Sequence, residues 1–311
     1  MGLRNWFVKY ALSFCLIATR RLRNFQLDLV NRSSDSAALD DDPINHAYSF
    51  SGWGMVTSHA NPWACDSPLA PDETARLFRD TDNDLRRRIS SGRFEWPQFR
   101  INKESGAVQI SQAVGNLRWR NYVVFASARL AAKNSMLHLG NNRPVILVEA
   151  GVCDGIAAFF ARAGAQSVAP ELDFYLIDSW GPMRSSDFAV GDRDKTGAYN
   201  FLDVEQTMAN LLDWGPTYRF VKGYVPEILA DAQLPQSPMW LHIDLNASST
   251  TVEVLEKFIP NMTQGSMCLF DDYGHKNYRQ TKIAVDRYFS ARRDGVLFAL
   301  PTGQAIWISS G

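Results

Sequence analysis

The chain has 311 residues, 46% hydrophobic and 21% charged, an ordinary globular composition long enough for one large domain or for one domain with a smaller companion. A formal net charge of -1 excludes any general electrostatic attraction to nucleic acid or to an acidic lipid surface. Four cysteines, Cys15, Cys65, Cys153 and Cys268, stand without paired spacing; they carry no metal-binding signature and fit buried thiols in a reducing, cytoplasmic compartment.

The N-terminal stretch MGLRNWFVKYALSFCLIATRRLR sets apolar residues between basic ones. Lys9 interrupts the run, no small-residue cleavage site follows, and the apolar length falls short of the roughly 20 residues that span a bilayer. It reads as a helix packing on its own domain or on a partner subunit, a route to a homo-oligomer, with a helix lying on a membrane surface as the alternative. Residues 31–48, NRSSDSAALDDDPINHAY, are polar and acidic and read as a linker. From about 72 to 134 the pattern is helical: DETARLFRDTDNDLRRRI opens on an Asp72 cap, and NLRWRNYVVFASARLAAK carries apolar residues at three- and four-residue steps. The aromatic residues at 94, 96, 99, 119 and 122 serve either packing or a substrate pocket. This places an N-terminal helical segment at 1–134 and a second domain at 135–311.

After about residue 143 strands and helices alternate: PVILVEAG, then GIAAFFARAG with its helix ending at Gly164, FYLID, VEQTMANLLDWG, YRFVKG, MWLHID, TVEVLEKFI, MCLF and QTKIAVDRYFSARR. Such alternation predicts a doubly wound, mostly parallel α/β sheet. The last segment, GVLFALPTGQAIWISS, folds on a tight PTGQ turn, so its two strands are antiparallel. A Rossmann-like sheet ending in a reversed hairpin resembles class I methyltransferases.

Ligands of this fold bind at the carboxyl ends of the strands. The first strand-to-helix turn, VEAGVCDG, holds Glu149, Gly151 and Gly155, and glycines there let a backbone come close to a ligand. It lacks the full G-x-G-x-x-G of nicotinamide or flavin binders. Asp178, at the end of the next strand, is placed to bond the hydroxyls of a ribose. Together the turn and this acid resemble the S-adenosylmethionine site of class I methyltransferases. Asp244 ends MWLHID, and Asp271 and Asp272 follow MCLF, in adjacent strands. Three carboxylates in one crevice would repel strongly, and a divalent cation with oxygen ligands, magnesium above others, would hold them together. The plainer reading of Asp271 and Asp272 is a turn start.

Four stretches, VEAGVCDG, IDSWGPM, RFVKGYVPEIL and HIDLNASST...LEKFIPNMTQGSMCLFDDYG, resemble the macrocin O-methyltransferase (tylosin-pathway) family over roughly 145–308. The resemblance implies magnesium-assisted transfer of a methyl group from S-adenosylmethionine to a hydroxyl of a sugar or glycosylated metabolite. It implies metal ligands at Asp244, Asp271 and Asp272, and cofactor contacts at Glu149, Gly151, Gly155, Asp178, Ser179, Trp180 and Gly223. The departures are Asn246 and Ser248, where the family commonly has a second acid and a tyrosine, and a turn after Asp178 without the usual glutamate.

His275 and Asp244 are the candidate general bases, His275 with a plain hydrogen-bonding role as its alternative. His242, inside a strand, reads as structural. Residues 181–200, GPMRSSDFAVGDRDKTGAYN, form either a lid or a simple connection. Competing functions are a catechol-type phenolic methyltransferase, a non-catalytic scaffold that keeps the fold, and a nicotinamide oxidoreductase, which the missing glycine fingerprint disfavours. No nucleic-acid partner and no transmembrane segment are expected.

Overall fold

The computed structural model describes residues 73–95, 118–139, 143–212, 217–231 and 233–311. The N-terminal stretch, the linker at 31–48, the Asp72 cap, Trp96, Phe99 and the oligomer contact expected of the N-terminal helices lie outside them.

Among the described residues two helices, α1 (Glu73–Ser90) and α2 (Arg118–Leu139), precede the sheet. The strands are β1 (Val145–Ala150), β2 (Leu172–Asp178), β3 (Tyr218–Lys222), β4 (Trp240–Ile243), β5 (Met267–Phe270), β6 (Gly295–Ala299) and β7 (Ala305–Ser309). Between them run α3 (Ile156–Gln166), α4 (Val204–Leu211), α5 (Ser248–Phe258) and α6 (Arg279–Phe289). The strand order is β3-β2-β1-β4-β5-β7-β6, parallel from β3 through β5 and antiparallel at β5–β7 and β7–β6. The expected parallel sheet with a reversed terminal hairpin is therefore present.

Its chain order doubles back at β1, which pairs with β2 on one side and β4 on the other. A crevice opens at such a switch point because the connections on either side leave in opposite directions. The central strands read as continuous apolar runs, VILVEA and MCLF, because helices cover both faces. Leu147, Trp240 and Leu269 pack toward α1, α2 and α3, while Val148, Leu241 and Phe270 pack toward α5 and α6. The alternation along each strand sends neighbouring residues to opposite cores.

Helix α2 is built into the first of these cores: Val124, Phe125, Ala128, Ala131 and Ala132 are fully buried. The division expected after residue 134 falls inside this helix. Gly164, read from the sequence as the end of α3, lies instead in its interior. A Cβ there would meet the Phe125 carbonyl oxygen at 2.2 Å, so glycine is needed for two helix backbones to touch rather than to cap one. Trp240 of β4 donates its indole N–H to Ser127 Oγ at 2.9 Å and fixes the position of α2 along the sheet. Seven residues earlier on α2, roughly 10 Å along the axis, Arg120 reaches the carboxyl ends of the strands.

Phe94 packs edge-on against Phe159, and Trp119 against Tyr122, so these aromatic residues serve packing. Cys268 is buried and Cys153 half-buried, both as free thiols. Among the described residues no helix is long and apolar enough to cross a membrane.

Candidate functional site

A cavity of about 480 Å³ opens at the switch point, walled by the β1–α3 turn, the end of β2, the segment 181–202, and the ends of β4 and β5. Gly151 takes φ +89° in the first of these walls and donates its N–H to the Ile177 carbonyl at 2.9 Å. Glu149, Gly151, Asp178, Ser179, Gly223, Asp244, Asp271, Asp272 and His275 all line the cavity.

Two of the expected cofactor residues do not line it. Gly155, φ +90°, packs where a Cβ would press on Leu211 and Thr207 at 3.1–3.3 Å. The Trp180 indole turns beneath the glycine turn and donates to the Cys153 carbonyl at 3.1 Å and to Thr207 Oγ1 at 3.0 Å. Both residues shape the turn from behind, because buried polar groups and helix packing take precedence there.

Asp178 is also drawn into the turn. Its Oδ2 accepts the Val152 and Cys153 N–H groups at 2.7 and 2.9 Å, and its Oδ1 accepts the Trp180 N–H at 2.7 Å. Burial pushes its carboxyl up, opposed by these N–H donors. A carboxylate has about four lone-pair positions, so three are committed to backbone and little is left for a ribose.

At the opposite wall, one oxygen from each of Asp244, Asp271 and Asp272 lies within 4.8 Å of the other two. Adjacent parallel strands β4 and β5 set this spacing, as Asp244 and Asp271 directly follow the Ile243–Phe270 pair. Arg120 sits on two of the three. Its Nε donates to both Asp271 oxygens at 2.7 Å, and its Nη2 donates to Asp244 Oδ2 at 2.6 Å.

Gln304 Nε2, from the turn before β7, donates to Asp271 Oδ1 at 2.9 Å. The Asn246 N–H donates to Asp272 Oδ2 at 3.0 Å and its amide to Asp244 Oδ1 at 3.3 Å. Asn246, at φ +58°, thus links two of the acids across the bend after β4. Behind them, His242 lies fully buried with Nδ1 3.0 Å from Glu149 Oε1 and Nε2 3.8 Å from Asp271 Oδ1.

These neighbours divide the carboxyls. Burial would raise Asp271, but Arg120 and His242 outweigh it and hold its carboxyl far below the usual range. Burial and the nearby Asp271 push Asp244 up to about 6. Asp272 is driven well above its ordinary value by burial and by both other acids. Burial opposes a charge on His242, yet Asp271 and Glu149 prevail and lift it to about 9.

The segment 181–200 is folded back onto the start of α5. Asp192 Oδ2 accepts the Ser248 N–H at 3.1 Å and its hydroxyl at 2.8 Å, and Ser249 Oγ donates to the Asp187 carbonyl at 2.6 Å. Lys195 Nζ bonds Asn246 Oδ1 at 2.7 Å and the Tyr278 hydroxyl, with its charge over both the Tyr199 and Tyr278 rings. The His275 Nδ1 accepts the Asn277 N–H at 3.2 Å, and its ring lies against Tyr278.

Sequence reasoning missed Arg120, Gln304 and the Lys195–Tyr278–Asn246 contacts. One arginine among several in a helix and a glutamine in a turn carry no motif. Asn246 and His242 were noticed, the first as a departure and the second as structural.

No curated protein sequence matches the chain. Among solved structures, the O-methyltransferase NovP is similar at 22% identity, with 60% of this chain and 79% of that chain covered and a TM-score of 0.51. The calicheamicin methyltransferase CalS11 matches at 19% identity over 77% of this chain and 93% of its own, with a TM-score of 0.47. NovP supports the fold. The family model of macrocin-O-methyltransferase (TylF) matches residues 127–294, from within α2 to the end of the helix after β5 and beyond. With more than half of its 311 residues so matched, the chain belongs to the macrocin O-methyltransferase (TylF) family and is an S-adenosylmethionine-dependent O-methyltransferase.

Proposed function

We propose that the chain methylates a hydroxyl of a sugar or glycosylated metabolite, with S-adenosylmethionine along the β1–α3 turn and a magnesium ion held by Asp244, Asp271 and Asp272. The observation that carries this reading is the convergence of the three carboxylates on the cavity that the glycine turn borders. The donor set fits the ion: it is all oxygen, from side chains rooted at strand ends. A cation already finds the place attractive, since the Arg120 guanidinium lies between two of the acids. When bound, magnesium would lower the pKa of a hydroxyl it coordinates.

The chain's own groups do the rest. Gly151 and Gly223 border the cofactor with their backbone, each as glycine because a side chain would collide with Asp244 or Ile228, and Asp178 keeps the turn in shape by holding its Val152 and Cys153 N–H groups. Placing the acceptor oxygen in line with the methyl group supplies most of the rate. Tyr199, Tyr278 and Asn246 face the cavity on the acceptor side.

Of the two candidate bases, Asp244 is favoured. Its carboxylate lies among the three acids that line the cavity, beside the place where an acceptor hydroxyl held by the ion would sit. The Nδ1 of His275 is engaged by the Asn277 N–H, so the neutral ring carries its proton on Nε2 and offers no lone pair there. The scattered thiols favour reaction in the cytoplasm.

Calorimetric titration with S-adenosylhomocysteine, followed by methyl transfer to diol sugars and to catechols with and without chelator, tests the reading. One-site cofactor binding with chelator-sensitive transfer to sugars is expected. Transfer to catechols alone would move the substrate to the phenolic class, and absence of cofactor binding would leave a scaffold.

A further inference from the structure

We propose that Arg120 is a built-in occupant of the cation site: its guanidinium holds Asp244 and Asp271 when no divalent ion is bound and must leave them for one to enter, so this residue sets how tightly the chain takes up the ion. The inference rests on the reading of the three acids as a cation site. Arg120 stands in the first turn of α2, outside the acid-bearing strands.

The two occupants exclude one another on geometry. Arg120 Nε and Nη2 already claim both oxygens of Asp271 and Oδ2 of Asp244 at 2.6–2.7 Å. Magnesium needs oxygens at roughly 2.0–2.1 Å in near-octahedral array, so it would contend with the guanidinium for the same lone pairs. The two cations would also repel at that range.

Departure of Arg120 leaves the acids oriented, because each has a separate holder. Gln304 Nε2 stays on Asp271 at 2.9 Å, the Asn246 amide on Asp244 at 3.3 Å, and the Asn246 N–H on Asp272 at 3.0 Å. The strand ends themselves are paired and fixed. The Arg120 side chain is partly exposed and borders the cavity, so open space lies beside it for the guanidinium to move into. A single guanidinium charge also bonds two carboxylates and leaves the third to a backbone N–H, a deficit that a divalent ion would fill.

The test uses Mn²⁺ as the probe on the full chain, with bound ion read by calorimetry and by the loss of free Mn²⁺ paramagnetic resonance. Wild type is compared with Arg120→Gln, Arg120→Ala and Asp272→Asn, and S-adenosylhomocysteine affinity and Tm report the fold. If the guanidinium is withdrawn in about a tenth of molecules, removing it tightens Mn²⁺ binding about tenfold. Arg120→Gln is the near-isosteric variant and carries the test should Arg120→Ala fail to fold.

Asp272→Asn weakens binding without touching Arg120. Equal or weaker binding by Arg120→Gln, with wild type and Asp272→Asn differing, overturns the competition and leaves the cation site standing. No Mn²⁺ binding by wild type or by Arg120→Gln overturns the cation site itself.

Discussion

Gly151 and Asp244 are pressed together where β1 and β4 end: a Cβ on Gly151 would sit 1.9 Å from the Asp244 carbonyl oxygen, and the Asp244 N–H donates to Ala150 at 2.9 Å. The glycine turn and the first of the three acids thus share one rigid joint, and at φ +89° the joint admits no side chain without strain. Gly151→Ala should cost more than the 1–3 kcal/mol of a strained backbone alone, because backbone must also move. Thermal denaturation should show a large loss of Tm, and any folded fraction should bind S-adenosylhomocysteine poorly. Unchanged Tm and affinity would mean that the two strand ends separate easily.

Asp178 acts through the turn more than through a ribose. Asp178→Ala strands the N–H groups of Val152, Cys153 and Trp180, each worth roughly 1–3 kcal/mol if buried and unpaired. S-adenosylhomocysteine affinity should fall at least about tenfold and Tm should fall with it. A purely ribose-binding residue would lower affinity and leave the Tm of the unliganded protein in place, so the two measurements together decide.

The architecture was legible because its signals are local and repeated. Apolar runs alternating with helical periods announce a parallel sheet, and PTGQ between two strands leaves only a hairpin. The acids were legible for the same reason, since each closes a strand and strand ends share a crevice. Arg120 was not, because its partners lie 124 and 151 positions away and only the packing of α2 across Trp240 and Gly164 brings them together. The packing of Trp180 and Gly155 was hidden for a related reason: a motif gives positions along the chain, and which side of a turn a residue takes depends on α4 behind it.

The segment 181–200 is latched rather than loose. Asp192 supplies the acceptor for the first N–H of α5 and for the Ser248 hydroxyl, as a capping residue would. Asp192→Ala should cost about 1 kcal/mol of local stability and release the loop that carries Met183, Asp187 and Tyr199 into the cavity wall. Amide exchange across residues 183–200 should quicken, and the acceptor KM should rise several-fold while S-adenosylhomocysteine affinity changes little. Slow exchange in the variant would locate the latch elsewhere, with Ser249 and Lys195 the next residues to test.

Asp154 makes a prediction about pH. It is 4% exposed near the end of the β1–α3 turn, and burial raises its carboxyl from 3.8 to about 7, against the pull of its own and the Ile156 backbone N–H groups. The folded chain therefore keeps this proton to higher pH than the unfolded chain does. Between about pH 4 and pH 7 the unfolded state ionises first, so this group's contribution to stability is complete below about 4 and fades as pH rises through 7. A displacement of about three units corresponds to a ceiling of roughly 4 kcal/mol. Asp154→Asn keeps the shape and removes the titration. Its Tm, measured without ligand, should fall less between pH 5 and 8 than that of wild type, with the variant the more stable of the two above pH 7. Parallel Tm curves for the two proteins across that range would show that Asp154 is ionised in the fold and has found a donor that burial has not suppressed.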